Sequence, residues 1–131
     1  MSTEARVSIL MQTDWVEVTP DMPIRRAAAL LVEGRAAAAV VVDQDGLLTG
    51  ILSQKDCFKP ALYASYYQEW KGRVEDSMSR APMTCNAEDD LITAAEAFSN
   101  SPHRVFPVVE EGRVVGMLRR SDVLGALMDM G

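Results

Sequence analysis

The stretch Gly50-Ile51-Leu52-Ser53-Gln54-Lys55-Asp56 decides the fold, because the chain repeats it 66 positions later as Gly116-Met117-Leu118-Arg119-Arg120-Ser121-Asp122. In both copies an apolar run and an acidic-glycine turn come first, at residues 40–46 and 106–112. A chain of 131 residues that carries one pattern twice is a duplicated structural unit. We therefore expect two like-folded halves with ligand sites between them.

The repeat extends upstream of these stretches, where the displacement becomes 67 positions. Ile24 then aligns with Leu91, and Leu31 aligns with Phe98. We expect a one-residue deletion between the first helix and the following strand to account for the change from 67 to 66.

The first copy predicts the order strand, helix, strand, strand, helix. Residues 16–18 alternate as a half-buried strand does, and Pro23 begins a helix that Gly34 ends. Four apolar residues at i, i+3, i+4 and i+7 form the buried face of this helix: Ile24, Ala27, Ala28 and Leu31. A strand buried on both faces follows over 36–42, then the Asp45-Gly46 turn, a paired strand over 47–52 and a helix from about Gln54.

The second copy predicts strands over 83–85, 105–109 and 114–118, with Asp89 as the N-cap of its first helix. Its last helix, over 121–130, is expected to turn four apolar residues inward: Val123, Leu124, Leu127 and Met128. We predict an α/β (α+β) fold of two β-α-β-β-α repeats that pack with pseudo-two-fold symmetry. The predicted domains are residues 1–72, which include an aromatic linker helix, and residues 73–131.

Composition excludes several functional classes. The net charge of −6 argues against binding to nucleic acid or to an anionic membrane surface, since both require a basic surface. No apolar run is long enough to span a bilayer, and the N-terminus lacks the pattern of a secretion signal, so we expect a cytoplasmic protein. Cys57 and Cys85 lack metal-ligand spacing, and no nucleophile adjoins a base, so neither a metal site nor an enzyme is expected.

The element order and the duplicated Gly-apolar-apolar-Ser-x-x-Asp signature resemble a tandem pair of cystathionine-β-synthase (CBS) domains. The resemblance runs from about Val7 to Met130 and implies a stand-alone CBS pair. Such pairs bind adenine nucleotides or related adenosyl ligands in two clefts between the repeats, and they commonly associate into a disk of four repeats. The resemblance therefore implies an AMP, ADP or ATP ligand, no required cofactor, and a homodimer.

Within this family the Ser/Thr of the signature contacts phosphate and the Asp contacts ribose, which assigns Ser53 to phosphate and Asp56 and Asp122 to ribose. Ser53 also stands where a strand enters a helix, and a helix N-terminus favours anions. Plain helix capping by Ser53 and Asp56 is the structural alternative, and the two roles are compatible.

The second copy adds positive charge. Arg119 replaces the small hydroxyl residue, and Arg120 follows it, while His103 and Arg104 precede the strand over 105–109. We assign all four to phosphate, because clustered cations in an acidic protein repel one another unless an anion compensates them. The alternative is a solvated loop. Ala37 and Ala38 are the expected counterparts of His103 and Arg104 in the first copy, so the two clefts are expected to differ.

Resemblance alone assigns the adenine contacts to residues around the short strands: Val18, Thr19, Met83, Thr84 and Cys85. Between the copies, five of the chain's eight aromatics fall on residues 58–70, and Tyr63, Tyr67 and Trp70 form one helical stripe. We expect this helix, broken at Gly72, to pack partly on its own core and partly to serve self-association.

The predicted function is a non-catalytic sensor that binds an adenine nucleotide between the repeats of a homodimer, and the regulated protein partner is unknown. The alternative is a ligand-independent dimerisation or scaffold module with vestigial clefts, which Arg119 and the alanines of the first copy favour.

Overall fold

The computed structural model describes residues 5–130, which form two compact units. The first unit is the chain from Trp15 to Pro82, and the second unit combines the chain up to Asp14 with the chain from Met83 on. Each unit contains one β-α-β-β-α repeat with its own three-stranded sheet, which confirms the predicted fold class. How the two repeats pack on each other stays a prediction.

The first unit is built on the sheet β1-β2-β3, with β1 at Glu17–Val18, β2 at Ala38–Val42 and β3 at Leu48–Ser53. Strand β1 pairs parallel to β2, and β2 pairs antiparallel to β3. Helix α2, Ile24–Glu33, connects β1 to β2, and a 3-10 turn at Lys55–Cys57 leads from β3 into helix α3, Phe58–Tyr67.

The core of the first unit follows the predicted pattern. Ile24, Ala27 and Leu31 are buried on one face of α2, as the i, i+3, i+7 spacing requires. Every residue of β2 is buried, which confirms the continuous apolar strand.

The second unit repeats this topology with β4 at Cys85–Asn86, β5 at Val105–Glu110 and β6 at Arg113–Arg119. Helix α5, Leu91–Ser99, connects β4 to β5, and helix α6, Arg120–Met130, follows β6. The core includes Phe98 and Phe106, whose rings stack with centroids 4.1 Å apart.

Two short helices precede the repeats, and the sequence did not reveal them as helices. Helix α1, Val7–Leu10, belongs to the second unit, and helix α4, Val74–Ser77, belongs to the first. Each unit therefore includes the short helix that precedes the other repeat in sequence. The proposed division between residues 72 and 73 follows the sequence repeat and stays a prediction.

The hairpin register corrects the position of the one-residue deletion. Ala38 pairs with Ser53 in β2–β3, and Val105 pairs with Arg119 in β5–β6. Strand β5 thus aligns with β2 at a displacement of 67, while β6 aligns with β3 at 66. The deletion consequently lies in the hairpin turn and not between helix and strand.

Two helix ends and the burial of a third helix also differ from prediction. Asp90, not Asp89, caps α5, because its carboxylate accepts the Thr93 amide at 2.8 Å. The linker helix ends at Tyr67, before Gly72, because Gln68 adopts a left-handed conformation with φ 58°. In α6 only Val123 is buried among the four residues expected to face inward, and Leu127 is partly buried. Leu124 and Met128 are 58% and 72% exposed, so their predicted burial is wrong for the isolated chain.

Candidate ligand-binding site

Each signature begins with a glycine because a neighbouring backbone segment passes too close for a side chain. In the first unit Ile51 and Ser79 exchange two backbone hydrogen bonds, of 3.0 and 2.9 Å. A Cβ atom on Gly50 would lie 2.6 Å from the Ser79 carbonyl oxygen. The second unit has the same arrangement, where Gln12 and Met117 exchange the two bonds and Gly116 has no room for a Cβ. These bridges fix the strand that carries the rest of each signature.

In the first unit, Ser53 and Asp56 bind each other across the start of the 3-10 turn. The Ser53 amide donates to Asp56 Oδ2 at 2.9 Å, and the Asp56 amide donates to Ser53 Oγ at 3.2 Å. This is the reciprocal pattern of a capping box, so the structural role anticipated for these residues is present. Both side chains are half-buried, and Asp56 Oδ1 has no hydrogen-bond partner within residues 5–130.

In the second unit, Asp122 is held by Arg119 in a bidentate ion pair. Arg119 Nε donates to Oδ2 at 2.8 Å and Nη2 donates to Oδ1 at 3.1 Å, while Gln12 Nε2 adds a bond of 3.3 Å to Oδ2. The guanidinium hydrogen bonds hold the pKa of Asp122 below its usual value and raise that of Arg119. Residues assigned separately to phosphate and to ribose therefore contact each other here.

The remaining basic residues gather at the same end of the β5–β6 hairpin. The Arg120 amide donates to the Arg104 carbonyl oxygen at 2.8 Å, directly beside the Val105–Arg119 pair of the ladder. His103 immediately precedes Arg104, and its ring lies edge-on to that of Phe106 with the ring centroids 6.3 Å apart. His103, Arg104 and Arg120 are exposed. Four basic residues thus lie at one hairpin end, a charge distribution that favours anions.

The corrected register also changes the counterparts of these residues. The Gln54 amide donates to the Ala37 carbonyl oxygen at 2.9 Å, so Gln54 corresponds to Arg120 and Ala37 to Arg104. The counterparts of His103 and Arg104 are therefore Ala36 and Ala37, and the expected pairing with Ala37 and Ala38 is wrong by one residue. The first repeat still has no basic residue at this position.

Comparison with known proteins identifies the family. The sequence profile described as "CBS domain" matches residues 5–62 and again residues 73–129. The chain is a tandem pair of CBS domains.

Relatives of this CBS pair include longer proteins. The chain is 29% identical to the A-adding tRNA nucleotidyltransferase of Aquifex aeolicus (strain VF5), over 95% of this chain and 14% of that protein. It is 26% identical to the CBS domain-containing protein CBSX1, chloroplastic, of Arabidopsis thaliana, over 86% of this chain and 59% of that protein. The chain thus spans less than two thirds of the length of both relatives.

A solved structure shares the whole fold. The crystal structure of CBSX2 in complex with AMP matches with a TM-score of 0.82 and 25% identity, covering 96% of this chain and 98% of that chain. The assignment as a CBS pair therefore has both sequence and structural support.

The residues assigned to adenine have mixed accessibility in this CBS pair. Val18 and Cys85 are buried in the cores of their units, whereas Thr19, Thr84 and Met83 are exposed. Burial raises the pKa of the Cys85 thiol to about 12, and Asp89 adds to the effect. The thiol is accordingly a core group, and a ligand contact at Cys85 would have to use its backbone. The assignment of these five residues stays a prediction.

Gln12 is a site residue that sequence reasoning missed. It occupies the bridge position in the second CBS repeat that Ser79 occupies in the first, 67 residues later. Extending the alignment into the segments before each repeat would have paired the two residues and placed an amide beside the signature.

The first unit also has an apolar groove of about 460 Å³ between α2 and α3. Small side chains open it (Ala28, Ala29 and Ala61), and larger ones form its walls (Val32, Phe58 and Trp70). Within residues 5–130 no helix is long and apolar enough to cross a membrane, and no three His, Cys, Asp or Glu side chains are grouped to hold a metal ion.

Proposed function

We propose that this CBS pair is a non-catalytic regulatory module whose ligand is an adenine nucleotide, AMP, ADP or ATP. The observation that carries the proposal is the equivalent placement of Asp56 and Asp122 after the β3 and β6 strands, with a basic hairpin end beside Asp122. A relative of the same fold, CBSX2, has been crystallised with AMP. We place the ligand between the repeats, as the family resemblance implies.

The proposed roles follow the chemistry of each group. Asp56 and Asp122 accept hydrogen bonds from the ribose hydroxyls, because an ionised carboxylate is an acceptor only. Ser53 at the first site, and His103, Arg104, Arg119 and Arg120 at the second, donate to phosphate. Charge-assisted hydrogen bonds of this kind are stronger than neutral ones, so phosphorylated ligands are favoured.

The two sites differ, and we propose that they bind with unequal affinity. The first has Ser53 and two alanines where the second has Arg119, His103 and Arg104. A phosphate group at neutral pH would gain more at the second site, whose hairpin end carries four basic side chains beside two carboxylates, those of Asp122 and Asp14.

We further propose that the module is a cytoplasmic homodimer that transmits ligand binding to a regulated protein of unknown identity. Phe58, Leu62 and Tyr66 are spaced four residues apart on α3 and are 63%, 56% and 79% exposed, which suits a self-association surface. Ligand binding would favour one packing of the repeats or subunits over another, and the partner would respond to that change.

A scaffold function is the second candidate, and specific contacts favour it. Asp122 is already paired with Arg119, and Asp56 already caps the turn with Ser53. Both carboxylates thus have a structural role without any ligand.

A thermal-shift series with AMP, ADP, ATP and adenosine separates the two functions. A ligand that binds only the folded state raises the melting temperature, and the rise grows with the logarithm of the ligand concentration once that exceeds the Kd. The sensor function predicts a concentration-dependent rise with nucleotides and a smaller one with adenosine. A melting temperature unchanged by all four ligands at millimolar concentration would favour the scaffold.

A further inference from the structure

Arg119 competes for the carboxylate that the proposed function assigns to ribose. Its guanidinium contacts both oxygens of Asp122, at 2.8 and 3.1 Å, and Gln12 contacts Oδ2 from a third direction at 3.3 Å. A ribose diol binds a carboxylate through the same two oxygens. The ligand therefore has to share or displace the guanidinium before its ribose can take the usual place.

The first repeat lacks this competitor. Ser53 occupies the position of Arg119. Its amide donates to Asp56 Oδ2 and its hydroxyl oxygen accepts from the Asp56 amide. Oxygen Oδ1 of Asp56 is left for another donor, within the part of the chain that the structure describes. The equivalent carboxylates thus differ between the repeats: Asp56 has an oxygen available to a donor, whereas both oxygens of Asp122 are bound by Arg119.

The surroundings of Arg119 favour a move of its guanidinium from Asp122 to a bound anion. The Arg119 side chain is 51% exposed, twice as much as that of Asp122, so it can turn outward without leaving a core. Arg104 and Arg120 lie on the same hairpin end, and neither is paired with an acidic side chain among residues 5–130. A phosphate at this position would lie among three arginines and offset their mutual repulsion, whereas an uncharged group would leave that repulsion uncompensated.

We propose that Arg119 makes the site of the second repeat selective for phosphorylated ligands, by covering Asp122 until a phosphate draws the guanidinium away. This inference rests on the proposed function, which supplies the ribose role of Asp122. A nucleotide brings the phosphate that releases Asp122 for its own ribose. A nucleoside brings only the diol and has to displace the guanidinium without compensation.

The test compares AMP and adenosine on the wild type and on Arg119→Ser, which installs the residue of the first repeat. Backbone amide signals of residues 116–123, followed by NMR during each titration, report on this site alone. Arg26→Ser is the control, because it removes one positive charge from an exposed helix position in the other unit. Arg119→Lys keeps the charge but loses the bidentate fork.

We expect Arg119→Ser to increase the affinity for adenosine by about two- to fivefold, a small gain because an exposed ion pair contributes little. The same substitution should lower the affinity for AMP by about tenfold, because a charge-assisted contact to phosphate is lost. Arg119→Lys should also tighten adenosine but keep most of the AMP affinity. Arg26→Ser should change the affinity for neither ligand by more than about twofold. The opposite signs of the two effects distinguish displacement from a simple loss of positive charge.

Two results would overturn the inference, and only one of them would also overturn the proposed function. If AMP binds the wild type and Arg119→Ser leaves the ratio of AMP to adenosine affinity unchanged, the selectivity role of Arg119 is wrong while the proposed function survives. If neither ligand shifts these amide signals in any variant, the proposed function fails at this site and the inference fails with it.

Discussion

Replacing Gly50 by alanine tests why the signature begins with glycine. The added Cβ would lie 2.6 Å from the Ser79 carbonyl oxygen and 3.0 Å from Met78 Sδ. The thioether can move, but the oxygen belongs to backbone that is joined to Ile51 by hydrogen bonds of 3.0 and 2.9 Å. Alanine at position 50 is therefore expected to push the two segments apart.

The size of the effect follows from these contacts. Each lost backbone hydrogen bond costs about 1 kcal/mol net, and inserting a methyl group into a packed core costs about 1–3 kcal/mol. We expect Gly50→Ala to break one of the two bonds and so to lower the free energy of unfolding by about 2–4 kcal/mol. Gly116→Ala should cost less, because the nearest backbone oxygen, that of Gln12, lies 2.9 Å away and the closer Met11 sulfur belongs to a flexible side chain.

Gly125→Ala is the matched control. Gly125 lies within α6 and its Cβ would meet no atom within 4 Å, so alanine should stabilise the protein by about 0.5–1 kcal/mol. Urea unfolding followed by circular dichroism measures all three variants, and hydrogen exchange at the Ile51 and Ser79 amides shows whether the bridge opens. A Gly50→Ala protein within 0.5 kcal/mol of the wild type, with both amides still protected, would refute the close-approach argument.

Three further predictions concern the thiols, the ion pair and the exposed helix. Cys57 and Cys85 should react with a chromogenic disulfide reagent at pH 8 only after denaturation, because burial raises the pKa of both thiols; rapid reaction of the native protein would contradict this. The lowered pKa of Asp122 means that its ion pair stabilises the fold above about pH 4, the unfolded value, and loses this effect as the pH falls through the folded value. Since the pair is partly exposed, its contribution to stability should stay below about 1 kcal/mol. Arg119→Ser should bring the NMR-measured pKa of Asp122 back toward its ordinary value. An unchanged pKa would exclude the ion pair. Tyr66→Ser should lower the dimer fraction in sedimentation more than the control Lys59→Ser does, and equal dimer fractions would remove Tyr66 from the interface.

The duplicated signature was sufficient to predict both sheets and their connecting helices. It could not locate the deletion, because residues 36–42 are all apolar and a strand without alternation slides by one residue without changing its pattern. Only the hydrogen-bonded ladder, with Ala38 opposite Ser53 and Val105 opposite Arg119, fixes the alignment.

The site was predictable as a set of residues but not as a set of contacts. Arg119 and Asp122 are three residues apart on a helix start, a spacing that favours an ion pair, yet each was assigned to a different part of a ligand. Leu124 and Met128 follow a helical period but lie on the exposed side of α6. Periodicity identifies an apolar face without identifying what covers it.

Calorimetric titration of AMP into the wild type, Asp56→Ala and Asp122→Ala tests the central claim most directly. Each substitution removes a charged acceptor of ribose hydrogen bonds, and we expect it to cost about 1.5–3 kcal/mol of binding free energy at the site of its own repeat. The account predicts saturable binding to the wild type that each single variant weakens and the double variant loses. Saturable AMP binding of wild-type affinity in the double variant would contradict it.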